Sequence, residues 1–354
     1  MNKLPRIALG LGLAGVLIGL AACQQAPQPV ETPEATTDYC ARMVTNSGGL
    51  DDRSFNQSTW EGLQQAEKTL GIEATALVST NETDLSPNVQ QAVESGCQMV
   101  VTVGWELAEA TATEAAANPD THFVIVDEVV DAPNVKPLVF QTAEASYLAG
   151  YLAAGVSKTG IVATFGGDAQ PPVTLFMDGF VGGVAAYNAA HGTDVRALGW
   201  NAETQQGSFT GDYEDVSKGK TLAQGFIDQG ADVILPVAAQ VGEGAAAAAL
   251  DNGNVMIIWV DNDGFETLPS EYRSIVLTSV LKNTGTAIQD IVSDDLAGQF
   301  TSDAFIGTLK NQGVDIAPYH DQAVAVSEEL GAEIDQLRQD IISGAVLVES
   351  PSAL

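Results

Sequence analysis

The chain has 354 residues, with 46 acidic against 14 basic side chains and a formal net charge of −32. That length is long for one core and normal for two, and the ordinary apolar content excludes a disordered chain. So negative a surface repels phosphate backbones and anionic membranes, which argues against nucleic acid as a partner, and it also suits a salty medium.

Lys3 and Arg6 precede an apolar, glycine-containing run over 7–22 that is short for a membrane span. The run ends Leu20-Ala21-Ala22-Cys23, small residues before a cysteine, and resembles the lipobox of bacterial lipoproteins. Residues 1–22 therefore read as a signal peptide whose removal leaves Cys23 as the lipid-bearing first residue, anchoring the chain without spanning the membrane. An ordinary signal peptide with an incidental cysteine is the alternative. Residues 23–38 are rich in Pro, Gln, Thr and Glu, lack an apolar period, and read as a flexible tether.

From residue 39 short apolar runs alternate with helical stretches. Strands are expected at 41–45, 73–78, 99–103, 122–126 and 138–140, with helices at 60–70, 85–95, 107–118 and 145–156. At Lys158-Thr159-Gly160 the pattern restarts. Strands follow at 161–165, 194–200, 233–236, 256–260, 274–281 and 305–309, with helices at 176–191, 218–229, 242–252, 284–296 and 325–343. Asp178 and Phe180 read as cap and staple of their helix. Such alternation means parallel sheets covered on both faces, here in two serial lobes with a cleft between them.

In open α/β sheets ligands bind beyond the carboxyl ends of the strands. Polar and aromatic residues recur there. Asn46, Ser47, Phe55 and Asn56 follow the first strand; Trp105 follows the third and Asp127 ends the fourth. Gly242, Asp261 with Asp263, and Lys282 occupy the corresponding places in the second half. Phe55 offers a face for stacking, and a lysine opposite an aspartate can clamp sugar hydroxyls by donating and accepting. The plainer reading of Asp51-Asp52 is a turn, with Ser54 as a helix N-cap. Cys40 and Cys97 stand at the openings of two strands in an exported chain, so a disulfide is favoured over two buried thiols. No Cys/His cluster has metal spacing, and His122, His191 and His320 are isolated.

Several segments taken in order resemble the basic membrane protein family of lipoproteins. They are Asp51-Asp52-Arg53-Ser54-Phe55-Asn56, Val103-Gly104-Trp105 and Glu144-Ala145-Ser146-Tyr147-Leu148-Ala149-Gly150. Gly166-Gly167, Asp178-Gly179-Phe180, Lys218-Gly219-Lys220, Val260-Asp261-Asn262-Asp263 and Thr278-Ser279-Val280-Leu281-Lys282-Asn283 complete the set. The resemblance implies a type I periplasmic-binding-protein fold, two Rossmann-like lobes with a hinge, and a purine nucleoside delivered to ABC permease subunits. Residues 39–143 with 276–300 are expected to form the first lobe, and 144–275 with 301–350 the second. The purine is expected between two aromatics, Phe55 and either Tyr213 or Phe209, with Asp127 reading the base and Asp261 and Lys282 holding the ribose. The chain departs from the family in carrying Asn46 where an aspartate is common, and Ala238-Ala239-Gln240-Val241-Gly242 where the family is glycine-rich.

A lipid-anchored monomer that binds, does no chemistry and needs no cofactor or metal is therefore expected. The alternatives are a binding protein or sensor for a sugar or signal molecule, and an extracellular nucleoside hydrolase. The hydrolase is disfavoured because the sequence has neither an aspartate cluster with hydrolase spacing nor a Gly-x-Ser-x-Gly turn.

Overall fold

The computed structural model describes residues 37–353. The expected signal peptide over 1–22, the expected lipidation at Cys23 and all but the last two residues of the expected tether over 23–38 lie outside the described residues. In chain order the strands are β1 (Cys40–Val44), β2 (Glu73–Leu77), β3 (Met99–Val103), β4 (His122–Val126), β5 (Val135–Phe140), β6 (Ile161–Gly166) and β7 (Arg196–Leu198). There follow β8 (Trp200–Asn201), β9 (Gln206–Gly207), β10 (Val233–Val237), β11 (Met256–Asp261), β12 (Val276–Lys282), β13 (Phe305–Gly307) and β14 (Val314–Ile316).

Two six-stranded sheets carry the two lobes. The first has the order β13-β5-β4-β3-β1-β2 and is parallel throughout. The second has the order β14-β12-β11-β10-β6-β7, parallel except for β14. The central strands β3 (Met-Val-Val-Thr-Val) and β10 (Val-Ile-Leu-Pro-Val) are buried at every position. Continuous β-branched runs of this kind are what a sheet sandwiched between helices requires. The hairpin β8–β9 and strand β14 are absent from the sequence-based expectation. They are two or three residues long, too short to show a period.

The lobe partition differs from the expected one at two strands. β12, expected in the first lobe, pairs with β11 and belongs to the second sheet. β13, expected in the second, pairs with β5 and belongs to the first. Alternation of apolar residues shows that a segment is a strand but not which sheet edge it will extend. The helix Thr284–Leu296 packs on Phe55–Leu70 of the first lobe, and Glu328–Ser343 packs on Thr142–Val156 of the second. The chain thus passes between lobes three times, after β5, after β12 and after β13.

These crossings are tied to one another. The Gln141 N–H donates to the Gly307 carbonyl at 2.8 Å, and the Asn283 N–H to the Gly313 carbonyl at 2.9 Å. The Leu309 N–H donates to the Glu144 carboxylate at 2.7 Å. A Cβ on Gly313 would lie 2.3 Å from the Gly307 Cα, so the two segments pass with no room for a side chain. Away from the hinge, Cys40 and Cys97 are joined by a disulfide, with Cα atoms 4.9 Å apart at the start of neighbouring strands β1 and β3.

Candidate functional site

A cavity opens between the lobes at the carboxyl ends of the strands. From the first lobe Asn46, Gly48, Asp52, Phe55, Trp105, Glu106 and Asp127 line it. The second lobe contributes Pro172, Val173, Phe176, Tyr213, Ala238, Ala239, Asp261 and Lys282. Its free volume is about 70 Å³. Pockets that hold drug-sized ligands run from about 300 to 1,000 Å³, so the lobes stand closed and must part to admit such a ligand.

The first wall is the loop after β1. Asp52 is buried and accepts from the backbone N–H groups of Ser54 (3.0 Å), Asn56 (2.8 Å) and Gln57 (3.0 Å). It therefore caps the helix Phe55–Leu70, a task expected of Ser54. That helix begins five residues before the expected start, because the cap and not the apolar period fixes its origin. Burial raises the Asp52 carboxyl to about 6, against the three backbone N–H groups that favour its charge. Ser54 instead hydrogen-bonds through its hydroxyl to Asp261 of the other lobe. Asn46 accepts from the Asn56 amide at 2.7 Å and from the Gly48 N–H at 3.3 Å.

At the centre stands Lys282, 3% exposed at the end of β12. Its ammonium lies 2.5 Å from Asp127 of the first lobe and 3.4 Å from Asp261 of the second. Both aspartates end strands in the left-handed region, φ 63° and 65°, which re-aims their side chains into the cleft. Phe55 is 4.4 Å, Phe176 5.7 Å and Phe140 5.8 Å from the same ammonium, ring centroid to Nζ. Burial alone would make Lys282 a weaker base, but Asp127 and Asp261 outweigh it and raise its pKa, so the ammonium stays charged.

Tyr213, not Phe209, lines the cavity. Its ring packs against Gly167, where a Cβ would come within 2.2 Å of it, and its hydroxyl accepts from the Asp168 N–H at 3.2 Å. Phe209 turns away to pack edge-on against Trp200, centroids 5.8 Å apart. With Thr210-Gly211-Asp212 inserted between them, Tyr213 and not Phe209 is therefore the ring of this segment that reaches the cleft.

Of the residues singled out in sequence, Asn46, Phe55, Trp105, Asp127, Tyr213, Asp261 and Lys282 converge on this cavity. Three do not line it. Gly242 packs instead under Trp259 and Pro236, where its lack of a side chain serves the core. Asn56 reaches the cavity only through Asn46, and Ser47 is not in the lining. Asp263 caps a short turn and binds His320 at 2.6 Å. Asp178, expected to cap a helix, lies within the helix Pro171–His191 and accepts from the Trp200 indole at 2.7 Å. Sequence reasoning missed Phe176, which faces the cleft from that helix, and Glu106. The signal for Glu106 was available, since it follows Trp105 directly at a strand end.

The closed lobes are latched beside the cavity. The Arg53 carbonyl accepts from the Trp259 indole N–H at 3.1 Å and from the Thr267 hydroxyl at 3.2 Å. The Ser54 carbonyl accepts from the Asn262 amide at 3.1 Å. Each such bond contributes about 1 kcal/mol net. Combining Trp259→Phe with Asn262→Ala removes two of these bonds and is therefore expected to favour opening by about 30-fold, raising the radius of gyration of the ligand-free protein in small-angle scattering. An unchanged radius would show that the latch does not hold the lobes together.

This architecture, two parallel-sheet lobes joined by three crossings with a lined cleft between them, is the type I periplasmic-binding-protein fold. Solved structures agree: the solute-binding protein of an ABC transporter system from Aeropyrum pernix K1 superposes with a TM-score of 0.78 at 22% identity, over 89% of this chain and 94% of that one. A counterpart from Conexibacter woesei gives 0.70 at 22% identity, over 88% and 99%. The sequence model described as ABC transporter substrate-binding protein PnrA-like (Bmp) matches residues 41–351, and the chain belongs to that family. Among curated relatives, the ABC transporter nucleoside-binding protein BmpA of Lactococcus lactis is 31% identical over 99% of this chain and 100% of its own length. Basic membrane protein A of Borreliella burgdorferi is 27% identical, over 86% of each chain.

Proposed function

We propose that the cleft captures a purine nucleoside and that the closed form hands it to the permease of an ABC importer, with the chain held at the outer face of the membrane by lipid on Cys23. The observation that carries this reading is the composition of the cavity wall. Phe55 and Tyr213 supply aromatic faces from opposite lobes, while Lys282 with Asp127 and Asp261 offers the donor and acceptors that ribose hydroxyls need. The name of the Lactococcus relative points to the same ligand class. The Lys282 ammonium donates to Asp127, expected to read the base, and that bond supports a place for Asp127 beside the sugar-binding pair.

Four carboxyl groups, Asp52, Glu106, Asp127 and Asp261, line the cavity against the single ammonium of Lys282. Such a wall favours ligands rich in N–H and O–H donors and repels phosphate, so nucleosides fit and nucleotides do not. Calorimetry and thermal shift with a panel of nucleosides and their monophosphates test this. Saturable heat with nucleosides alone is expected, and no response to any nucleoside would sink the proposal. In the same assay Phe55→Ala should weaken binding by about 10- to 100-fold, because stacking a base on an aromatic ring contributes roughly 1–3 kcal/mol. Unchanged affinity would point to a ligand without a flat ring.

A further inference from the structure

We propose that Glu106 is the residue that reads the edge of the base, accepting a hydrogen bond from a ring N–H, and that it selects 6-oxopurine nucleosides over adenosine. The inference rests on the nucleoside reading above and names the ligand class within it.

Glu106 follows Gly104-Trp105 at the end of β3 and lines the cavity from the first lobe. Its Oε2 is buried and has no hydrogen-bond partner in the protein. A buried carboxylate oxygen without a partner is costly, and a ligand donor arriving there removes the cost. The other cavity carboxyls are already engaged. Asp52 caps a helix, Asp127 holds Lys282, and Asp261 binds Lys282 and Ser54. Asn46 is the polar neighbour of Glu106, and its own carbonyl oxygen is taken by Asn56 and Gly48. The arrangement makes Asn46 a positioning residue, its amide orienting the carboxyl while Asn56 orients the amide. The family's common aspartate here would set a second carboxylate against Glu106.

The choice among bases follows from donors and acceptors. A 6-oxopurine presents N1–H at its pairing edge, and guanine adds the 2-amino group. Adenine presents a lone pair at N1, which a carboxylate repels. The groups that bear on Glu106 electrostatically are Asp168 and Asp127, and Tyr213 feels the same three carboxyls. This end of the cavity is therefore suited to donors on the ligand. Tyr213 is held protonated by burial, and since its oxygen accepts from Asp168 its own proton is free to meet O6.

Burial raises the Glu106 carboxyl to about 7. A donor on the ligand favours the ionised form, so affinity for inosine is full above that pH and falls as pH drops through it. Asp52, at about 6, titrates close by, so the Glu106→Gln variant is needed to isolate the effect.

The test is calorimetry of the full mature chain with inosine, guanosine, adenosine and 1-methylinosine at several pH values. The wild type should bind inosine about 10- to 100-fold tighter than 1-methylinosine, the range for a hydrogen bond to a charged group, with the ratio shrinking as pH falls below about 7. Glu106→Gln should erase most of that ratio and flatten its pH profile. The methylated probe on wild-type protein gives an answer even if the variant folds poorly. Equal binding of inosine and 1-methylinosine, or a preference for adenosine, overturns the inference while leaving nucleoside binding intact. Absence of binding by every nucleoside overturns both.

Discussion

Replacing Lys282 with methionine is expected to lower the unfolding free energy by about 3–5 kcal/mol, the cost of leaving buried charge uncompensated. Asp127 and Asp261 approach this ammonium from opposite lobes, and their side chains are only 10% and 8% exposed. Methionine would fill the cage of Phe55, Phe140 and Phe176, so the loss reports charge and not volume. The two carboxylates would then face each other in a dry cleft, and one must take up a proton or the lobes must part. Denaturant melts should therefore show a deficit that shrinks on acidification, because protonation relieves the repulsion. Adding Asp127→Asn should restore part of the stability while ligand binding stays lost. A deficit below about 1 kcal/mol at neutral pH would mean that water reaches the triad and screens it. The same residue couples stability to function, since the bond it makes across the cleft joins the lobes that a ligand must find apart.

The alternation of apolar runs and helices made the two-lobed α/β architecture legible, and strand ends marked the site. β3, β4 and the helix Thr284–Leu296 lie where their sequences place them, because buried β-branched runs and an amphipathic period leave little freedom. The lobe membership of β12 and β13 was not legible, since it depends on which sheet edge the returning chain finds. The strand-end rule located Asn46, Trp105, Asp127, Asp261 and Lys282, whose backbone positions alone bring them to the cleft. It named Gly242 too, which lies outside the lining and whose missing side chain accommodates Trp259. It also passed over Phe176, which a helix and not a loop delivers. Asp52 looked like a turn residue and acts as a cap, yet it still lines the cavity. A cap at the mouth of a binding site can serve both tasks with one carboxylate, its backbone bonds fixing the loop that carries Phe55.

Removing the Cys40–Cys97 disulfide, by Cys40→Ser with Cys97→Ser, is expected to destabilise the protein by roughly 4 kcal/mol while leaving ligand affinity unchanged. The bridge closes a loop with a sequence separation of 57, and constraining a loop of that length in the unfolded chain accounts for the estimate. It sits where β1 and β3 begin, whereas Asn46, Trp105 and Glu106 follow the ends of those strands. Five residues of strand, about 17 Å, separate the two ends. The parallel pairing of Ala41 with Met99 through Val44 with Thr102 keeps the strands aligned without the bridge, aided by the Gln98 side chain, which accepts from the Cys40 N–H at 2.9 Å. Urea melts should thus move to lower midpoints with a somewhat steeper slope, because the unfolded chain without the crosslink exposes more surface, and calorimetric affinity should match the wild type under conditions where both are folded. If affinity falls together with stability, the strand register that aims Asn46 and Glu106 into the cleft depends on the bridge, and the disulfide is part of the binding architecture as well as of the core.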